Sequence, residues 1–362
     1  MNNSLSNQRG VALIIVLMVV ALVSVLATDM ATRLQLQVQR AINIKDNNQA
    51  YWYAIGAEEF ARKSIDLLME ENRDKIALDQ PWTQEFMYPV DGGTISATLE
   101  DMQSCFNLNA ILATGNNNAN NNTNANTVNN SPDNKNKAKN KNKNNPRSNR
   151  NAGINEVTPA MDAFHRLLLS SELDITNFVA DTVRDSLADW LDEDDRMRPY
   201  GAEDSEYESR EFPYLAANGL MYSQSELRLI HGVEVAWLNE ILPYVCVIPG
   251  VTELKINVNT ITEERAPVLA GLTGLSLQQA KNLIASRPQE GWDDVSDFNS
   301  EPDIAALSLT VEQQAWFTVS TEYFILHTKT RYNKATFKLT SVFHAPEGEK
   351  VRVIRREFGE IN

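Results

Sequence analysis

The N-terminal segment constrains this chain more than any other part of the sequence. A polar stretch of ten residues ends at Gly10, and an apolar run follows over residues 11–27, interrupted only by Ser24. Such a run is at the short end of the roughly 17–25 residues that span a bilayer. The alternative is a secretory signal peptide, but residues 25–27 form a poor cleavage site and no break in structure follows. The sequence therefore predicts a single-pass anchor.

The helical pattern continues well beyond the anchor. Between residues 11 and 76 there is no proline and only one glycine, Gly56. Apolar residues recur at spacings typical of one helix stripe. They are Leu34, Val38, Ala41, Ile42, Ala54, Ala57, Ala61, Ile65 and Leu68. We expect one helix of about 60 residues, roughly 90 Å long. Its first half would lie in lipid or a filament core, and its second half would pack on a globular head.

A glycine followed directly by an apolar segment and a long amphipathic helix resembles the type IV pilin and pseudopilin class. The resemblance implies cleavage between Gly10 and Val11 by a prepilin peptidase on the cytoplasmic face, with N-methylation of Val11. Most members carry glutamate at the fifth mature position, where this chain has Ile15. That carboxylate pairs with the N-terminal amine of a neighbouring subunit. Its absence implies a filament tip, and the K-type minor pseudopilins of type II secretion systems share this exception.

Strand signals occur at two distant places after the helix. Residues 94–100, 322–329, 335–344 and 350–358 alternate between apolar and polar side chains, as strands do. A lone strand is not stable, so one sheet split by an insertion is preferred to two unrelated domains in series. The predicted fold class is α+β: a pilin-like long N-terminal helix on a small antiparallel sheet, with a large, mostly helical domain inserted between strands.

These signals divide the chain into segments. Residues 1–10 form the leader, 11–28 the transmembrane or filament-core helix, and 29–103 the amphipathic helix with the first strand; 104–318 form the inserted domain and 319–362 the closing strands. Inside the insertion, helices are expected over residues 161–170, 174–192, 223–230, 233–242, 263–270, 276–286 and 311–316. Asp174 and Ser276 are the predicted N-caps of two of them. Residues 115–151 are dominated by Asn and Lys and predict a disordered loop.

Charge and motifs exclude several functions. The net charge of −15 argues against a general nucleic-acid binder, since phosphate binding needs clustered Lys and Arg. The four histidines are scattered, and neither an HExxH nor a GxSxG pattern is present. The chain is therefore not expected to be an enzyme.

Two groups of carboxylates stand close together in the sequence. Residues 189–195 and 203–208 are rich in Asp and Glu and are joined by a loop that contains Pro199 and Gly201. Such a loop could supply the six to eight oxygens that calcium requires, or it could be a solvated acidic loop. The stretch resembles the calcium-binding segment of the K-type pseudopilins, and this resemblance implies a calcium site. The preferred ligands are Asp192, Asp194, Glu203 and Asp204, with Asp189 and Glu208 as second choices.

Two further features lie in the insertion. Cys105 and Cys246 would form a disulfide in an oxidising compartment and would be buried thiols in the cytosol. Asn-x-Asn segments occur at residues 107–109 and 257–259, and residues 250–318 resemble a helix-hairpin-helix unit. In DNA-binding relatives the turn of such a unit presents amides to phosphate. Here acidic residues follow the hairpin closely, so a protein-packing use is preferred.

The resemblance to the K-type minor pseudopilins covers nearly the whole chain outside the Asn/Lys tract. It implies a protein of the inner membrane with its C-terminal domain in the periplasm. It would cap the pseudopilus tip, assemble with I- and J-type minor pseudopilins, start the filament and so help to export folded proteins. The alternatives are a membrane-anchored DNA receptor of competence type, which needs a basic hairpin surface, and an anchored calcium-dependent hydrolase, which needs a catalytic constellation.

Overall fold

The computed structural model describes residues 9–113 and 157–359. The first eight residues of the predicted leader and the whole predicted disordered loop, 115–151, lie outside the described residues.

A single long helix, α1, opens the structure. It runs over Arg9–Asn72, 64 residues, in agreement with the predicted length. By length and composition it can cross a membrane, and its most apolar part is not covered by the rest of the chain. Its second half packs on the sheet through small side chains, since Ala50, Ala54 and Ala57 are buried. Small residues let the helix backbone approach the sheet closely.

The predicted single stripe along α1 is wrong. Ala54, Ala57 and Ile65 are buried against the head, whereas Leu34 and Ile42 are 61% and 44% exposed. At 3.6 residues per turn, the interval from Ile42 to Ala54 adds about a third of a turn beyond whole turns. The apolar residues therefore occupy two faces of the helix, and only one of them packs on the sheet.

Beneath α1 lies a five-stranded antiparallel sheet in the order β1-β2-β7-β8-β9. Its strands are β1 (Phe86–Val90), β2 (Gly93–Asp101), β7 (Tyr323–Tyr332), β8 (Ala335–His344) and β9 (Arg352–Phe358). Strands β2 and β7 pair directly, and Asp101 lies opposite Phe324. The chain thus leaves the sheet and re-enters it at neighbouring positions. The predicted split sheet and fold class are confirmed.

Strand β1, which contains Pro89, was not among the strands expected from alternation. In the structure Pro89 lies opposite Thr94 on a strand that has one neighbour. Proline has no N–H to donate to a ladder, so an edge strand is where a sheet tolerates it.

An ion pair between the buried Glu58 carboxylate and the half-exposed Arg356 guanidinium also fixes α1 on the sheet. The Glu58 side chain is fully buried and accepts hydrogen bonds from Ser341 Oγ at 2.5 Å and from Arg356 Nε at 2.8 Å and Nη2 at 2.7 Å. A buried carboxylate requires such partners. The pair therefore ties the helix to both β8 and β9.

The insertion is mostly helical. Its helices are α2 (Pro159–Ser170), α3 (Asn177–Leu191), α4 (Asp204–Tyr207), α5 (Val235–Ile241), α6 (Ala266–Thr273), α7 (Leu277–Ser286), α8 (Val295–Ser300), α9 (Pro302–Ala305) and α10 (Val311–Gln314). The expected helix over 223–230 is a 3₁₀ segment, Gln224–Leu229. Ser276 caps α7 as predicted. The prediction of Asp174 as a cap is wrong, because Thr176 caps α3 instead.

Two short parallel strand pairs divide the insertion into similar units. Strand β3 (Phe106–Asn107) pairs with β4 (Val245–Cys246), and β5 (Ile256–Asn257) pairs with β6 (Phe317–Thr318). In the first unit, Asn109 Oδ1 accepts from the N–H of Met221 and Nδ2 donates to its carbonyl. Asn259 makes the same two bonds to Trp292 in the second unit. The Asn-x-Asn segments therefore have the same structural role in both units.

The pilin-like part and the insertion meet around Asp101, a buried carboxylate at the end of β2. It accepts hydrogen bonds from Gln103 N at 2.6 Å, Asn257 Nδ2 at 3.1 Å, Thr260 Oγ1 at 2.6 Å and Thr321 Oγ1 at 2.7 Å. Burial raises the pKa of the Asp101 carboxyl, and these bonds oppose the rise. The cluster holds the second unit of the insertion against the sheet.

Candidate functional site

The acidic loop between α3 and α4 contains the densest group of carboxylates that sequence reasoning singled out. Its first members come from the end of α3, where Asp185 and Asp189 are one turn apart and Asp192 is the C-cap residue. This spacing places all three on one helix face. The loop then folds back over that face, and Tyr200 N donates to Asp185 Oδ2 at 3.2 Å.

Arg198 is the cation that the loop itself supplies. Its Nη1 donates to Asp189 Oδ1 at 2.5 Å and to Asp192 Oδ2 at 2.6 Å. Its backbone N–H also donates to Asp189 Oδ2, at 3.1 Å. The Asp189 side chain is fully buried, and burial raises the pKa of its carboxyl to about 6 although Arg198 opposes the rise. One guanidinium is thus shared between two carboxylates.

Gly201 permits this close folding. A Cβ built on Gly201 would lie 1.9 Å from Asp189 Oδ2. No side chain fits in that space, so the backbone of the loop can lie directly against the buried carboxylate only with glycine at this position.

Glu203 is buried and lacks a partner. Its side chain is at the start of α4, yet it makes no capping hydrogen bond. Both of its carboxylate oxygens are buried without a hydrogen-bond partner. Burial, followed by repulsion from Asp189 and Asp192 and from two further aspartates, raises the pKa of Glu203 to about 8. A buried carboxylate in this state attracts either a proton or a cation.

Further oxygen atoms in the loop also lack partners. Asp192 Oδ1 and Asn218 Oδ1 are buried without hydrogen-bond partners. The Asn218 amide donates instead to Asp195 Oδ1, at 3.2 Å. Together with Glu203, these residues offer carboxylate and amide oxygens only. Such a donor set suits a hard cation such as calcium and contains no nitrogen or sulfur ligand for a softer metal.

The structure brings together only part of the predicted ligand set. Asp189, Asp192 and Asp204 all lie close enough to raise the pKa of Glu203, so these four carboxylates form one electrostatic cluster. Asp194 is instead about half exposed and paired with Arg196, and Asp204 Oδ1 accepts from Ala216 N at 2.9 Å. Glu208 is exposed at the end of α4. Throughout residues 9–113 and 157–359, no three His, Cys, Asp or Glu side chains are arranged to hold a metal ion.

Sequence reasoning missed Arg198, Gly201 and Asn218 as members of this cluster. Arg198 was visible in the sequence as a cation within an acidic run, and a cation there is the expected neutralising group for buried carboxylates. Asn218 gave no local signal, because it reaches the loop from the chain beyond α4.

The two cysteines form a disulfide, as expected for an oxidising compartment. Cys105 and Cys246 are joined beside the parallel pair of β3 and β4, with their Cα atoms 5.8 Å apart. The bond lies in a small buried cluster that includes Met102, Ile248 and Val342. It closes the first unit of the insertion against β8.

The helical hairpin of α6 and α7 does not present a phosphate-binding surface. Its turn contains Gly274 with φ at +80°. Arg287 points inward, where Nη1 donates to the carbonyls of Val258 at 3.0 Å and Ile261 at 2.8 Å. Asp293 lies nearby in the chain and is paired with Lys75 of the loop after α1. The hairpin therefore packs within the protein, and nothing in it favours the DNA-receptor alternative.

Comparison with known families gives two consecutive matches in the insertion. A family model described as "Type II secretion system (T2SS), protein K" matches residues 104–250, and a second model with that description matches residues 256–320. The boundary between the two matches falls between β4 and β5, where the two structural units meet.

Full-length relatives agree with these models. Type II secretion system protein K of Aeromonas hydrophila is 31% identical over 98% of both chains, and that of Dickeya chrysanthemi is 34% identical over 97% of both. A solved structure is also similar, with a TM-score of 0.71, 26% identity, 89% coverage of this chain and 99% of that one. It is described as the GspK-GspI-GspJ complex of the enterotoxigenic Escherichia coli type 2 secretion system.

Proposed function

The chain belongs to the type II secretion system protein K family and is a minor pseudopilin, and we propose that it caps the pseudopilus tip. In this role it would assemble with I- and J-type minor pseudopilins and start the filament that exports folded proteins from the periplasm. The observation that carries the proposal is the match, over 89% of this chain, to a protein K solved together with I and J partners. Its task is assembly, and we infer no catalytic role.

Two features of the chain support a place at the tip. Ile15 stands where a neighbouring subunit would need a carboxylate, so it offers no charge to the amine of a subunit above. The insertion adds two helical units to the head, beside the β2–β7 junction. Such bulk on a pilin-like sheet leaves little room for a further subunit above it.

Complex formation tests the assembly role. The full chain is co-expressed with the I- and J-type minor pseudopilins of its own system, extracted in detergent and purified through a tag on this chain. We expect a stable complex that contains both partners. A tagged chain that purifies alone, at protein concentrations in the micromolar range, would contradict the proposal.

We also propose that α1 anchors the protein once in the inner membrane, with the head in the periplasm. A prepilin peptidase would cleave the leader between Gly10 and Val11. The apolar and uncovered first half of α1 supports the anchor. Mass spectrometry of the chain from cells that express the peptidase is expected to find a mature, N-methylated Val11. An intact N-terminus would show that the leader assignment is wrong.

Calcium binding in the acidic loop is a further proposal. Glu203 and Asp192 would supply carboxylate oxygens and Asn218 an amide oxygen, since each has a buried oxygen without a partner. A bound calcium ion would neutralise these carboxylates and fix the loop, without a chemical step. We expect the melting temperature of the chain to fall when EDTA is added and to recover with excess calcium. A melting temperature that EDTA leaves unchanged would rule the proposal out.

A further inference from the structure

Gly56 is an unusual residue for its position. It lies in the interior of α1, in the half of the helix that packs on the sheet. Glycine is the poorest helix former after proline, because it loses the most backbone freedom and has no side chain to pack. A glycine in a helix interior costs about 1 kcal/mol relative to alanine, and a close packing contact can offset that cost.

Among residues 9–113 and 157–359, no close contact at Gly56 offsets this cost. A Cβ built on Gly56 would meet no atom within 4 Å. The helical glycine of α6 provides the contrast: a Cβ on Gly271 would come within 2.7–2.8 Å of Leu167 in α2. Gly271 thus allows two helices of this protein to touch, whereas the space beside Gly56 is open.

The open space lies on a face of α1 whose members are all exposed except the half-buried Gln49, and we name this face the outer stripe. Its members follow one another at every third or fourth residue, so they form one line along a helix. They are Leu34, Val38, Ile42, Lys45, Gln49, Trp52, Gly56, Phe60, Lys63 and Leu67. Trp52, Phe60 and Leu67 are 63%, 55% and 49% exposed. The outer stripe is the face of α1 opposite to the one that packs on the sheet.

Two aromatic side chains flank Gly56, about one helical turn before it and one after it. Trp52 stands on one side and Phe60 on the other. Phe60 stacks on Phe86 of β1 at 4.8 Å between ring centroids, and Phe86 stacks on Tyr88 at 6.1 Å. Strand β1 is an edge strand, so this aromatic row continues from the helix to the rim of the sheet. We call the open space at Gly56, with the Trp52 and Phe60 side chains on either side of it, the notch.

We propose that this notch is the docking site for the N-terminal helix of a neighbouring minor pseudopilin of the I or J type. The inference rests on the proposed function and specifies which surface carries it. A position without a Cβ, flanked by exposed aromatics, allows a partner backbone to approach closely, as small residues do at helix–helix contacts. Trp52 and Phe60 then cover the sides of the partner helix.

The position of the outer stripe along α1 favours a protein over lipid as its occupant. A bilayer core of about 30 Å covers roughly 20 helical residues, which from Val11 extends to about Met30. The apolar members of the stripe begin at Leu34 and continue to Leu67, beyond the reach of the bilayer. The stripe follows the exposed apolar anchor along the same helix and is polar at Lys45, Gln49 and Lys63, so the same neighbour can contact both.

A size series at Gly56 tests the notch. Gly56→Ala and Gly56→Leu are made in the full chain, purified in detergent, and their binding to the I- and J-type partners is measured. Both variants are expected to raise the melting temperature of the free chain, because each is a better helix former than glycine. Gly56→Leu should weaken partner binding at least tenfold, and Gly56→Ala should weaken it less.

The matched control is Ala285→Leu, which adds a large side chain at an exposed position of α7. It should leave partner binding unchanged. If the wild-type chain binds its partners and Gly56→Leu binds them equally well, the docking site at Gly56 is wrong, while the proposed function is unaffected. Failure of the wild-type chain to bind either partner would overturn both.

The occupant is identified by a photo-crosslinking phenylalanine analogue in place of Phe60. We expect a crosslink to an I- or J-type partner in cells. The same analogue in place of His327, on the face of β7 away from α1, should give none. Crosslinks from position 60 only to lipid or to a second copy of this chain would overturn the proposal.

Discussion

At the scale of single residues, Glu203 and Glu58 show two ways of burying a carboxylate. Glu58 has three hydrogen bonds and a guanidinium partner. Glu203 has neither, although it lies among other acids. The first arrangement fixes the fold, while the second leaves a charge that only a proton or a cation can compensate.

The pKa of Glu203 makes stability depend on pH. Its folded value of about 8 lies above the ordinary 4.5, so folding favours the protonated form. The free energy of unfolding should therefore fall as pH rises from about 4.5 to about 8. We expect the melting temperature in EDTA to drop more over this range for the wild type than for Glu203→Gln. Parallel pH profiles for the two proteins would contradict this assignment.

Breaking the Glu58 pair should be costly. Arg356→Ala leaves a buried carboxylate with Ser341 as its remaining side-chain donor, and we expect a loss of about 2 kcal/mol in the free energy of unfolding. The double variant Glu58→Met/Arg356→Met should recover most of that loss, since an apolar pair leaves no charge unpaired. Urea denaturation measures both. If the double variant is less stable than Arg356→Ala, the ion pair stabilises the fold by more than the neutralisation of the buried Glu58 charge.

At the scale of elements, the disulfide connects the most distant parts of the first unit. Cys105 follows β2 closely, and Cys246 lies 141 residues further on, in β4. Replacing both by serine should lower the free energy of unfolding by about 2–4 kcal/mol, because the unfolded chain gains freedom across a long loop. The shift in urea midpoint between the wild type and the variant measures it. Reduction of the wild type should give a similar shift, and reduction of the variant none.

Helices and strands were predicted correctly where the local sequence pattern agrees with the packing in the fold. The strand over 335–344 and the capped start of α7 at Ser276 were found from alternation and capping chemistry alone. Strand β1 was missed because Pro89 is a breaker unless the strand is known to lie at an edge. The predicted single stripe joined two faces of α1. Ala54 lies about a third of a turn around the helix from Ile42, so the apolar residues on either side of this interval point in different directions.

The sequence predicted which acidic residues lie in the loop, but not which of them face one another in the folded protein. Four of the six expected ligands, Asp189, Asp192, Glu203 and Asp204, form one electrostatic cluster, and α3 places the first two on one face. Asp194, which is about half exposed, was not separable from them in the sequence, since the path of the loop decides which carboxylate turns inward. That path is set by Gly201 and Arg198 through contacts that no spacing rule encodes.

At the scale of the whole molecule, the protein is asymmetric along its length. A slender helix forms one end, and a sheet carrying two helical units forms the other. The proposed calcium loop lies in the insertion and not on the outer stripe, so the proposed cation site and the proposed partner contact would use separate surfaces.

The tip role predicts a distribution along assembled filaments. Gold-labelled antibody against the insertion should mark one end of each pseudopilus in electron micrographs, with no label along the shaft. The control is a label on the major subunit, which should decorate the whole length. Regular labelling of the shaft by the insertion antibody would contradict a capping role.

The junction between β2 and β7 has an evolutionary consequence. The strands on either side of the insertion are hydrogen-bonded neighbours, with Asp101 opposite Phe324, so the sheet closes in the same register whatever lies between them. Insertion length can therefore change, or a unit can be duplicated, without any cost to strand pairing. The junction thus lets the insertion be lengthened, shortened or exchanged while the sheet below it keeps the same hydrogen-bonded ladder.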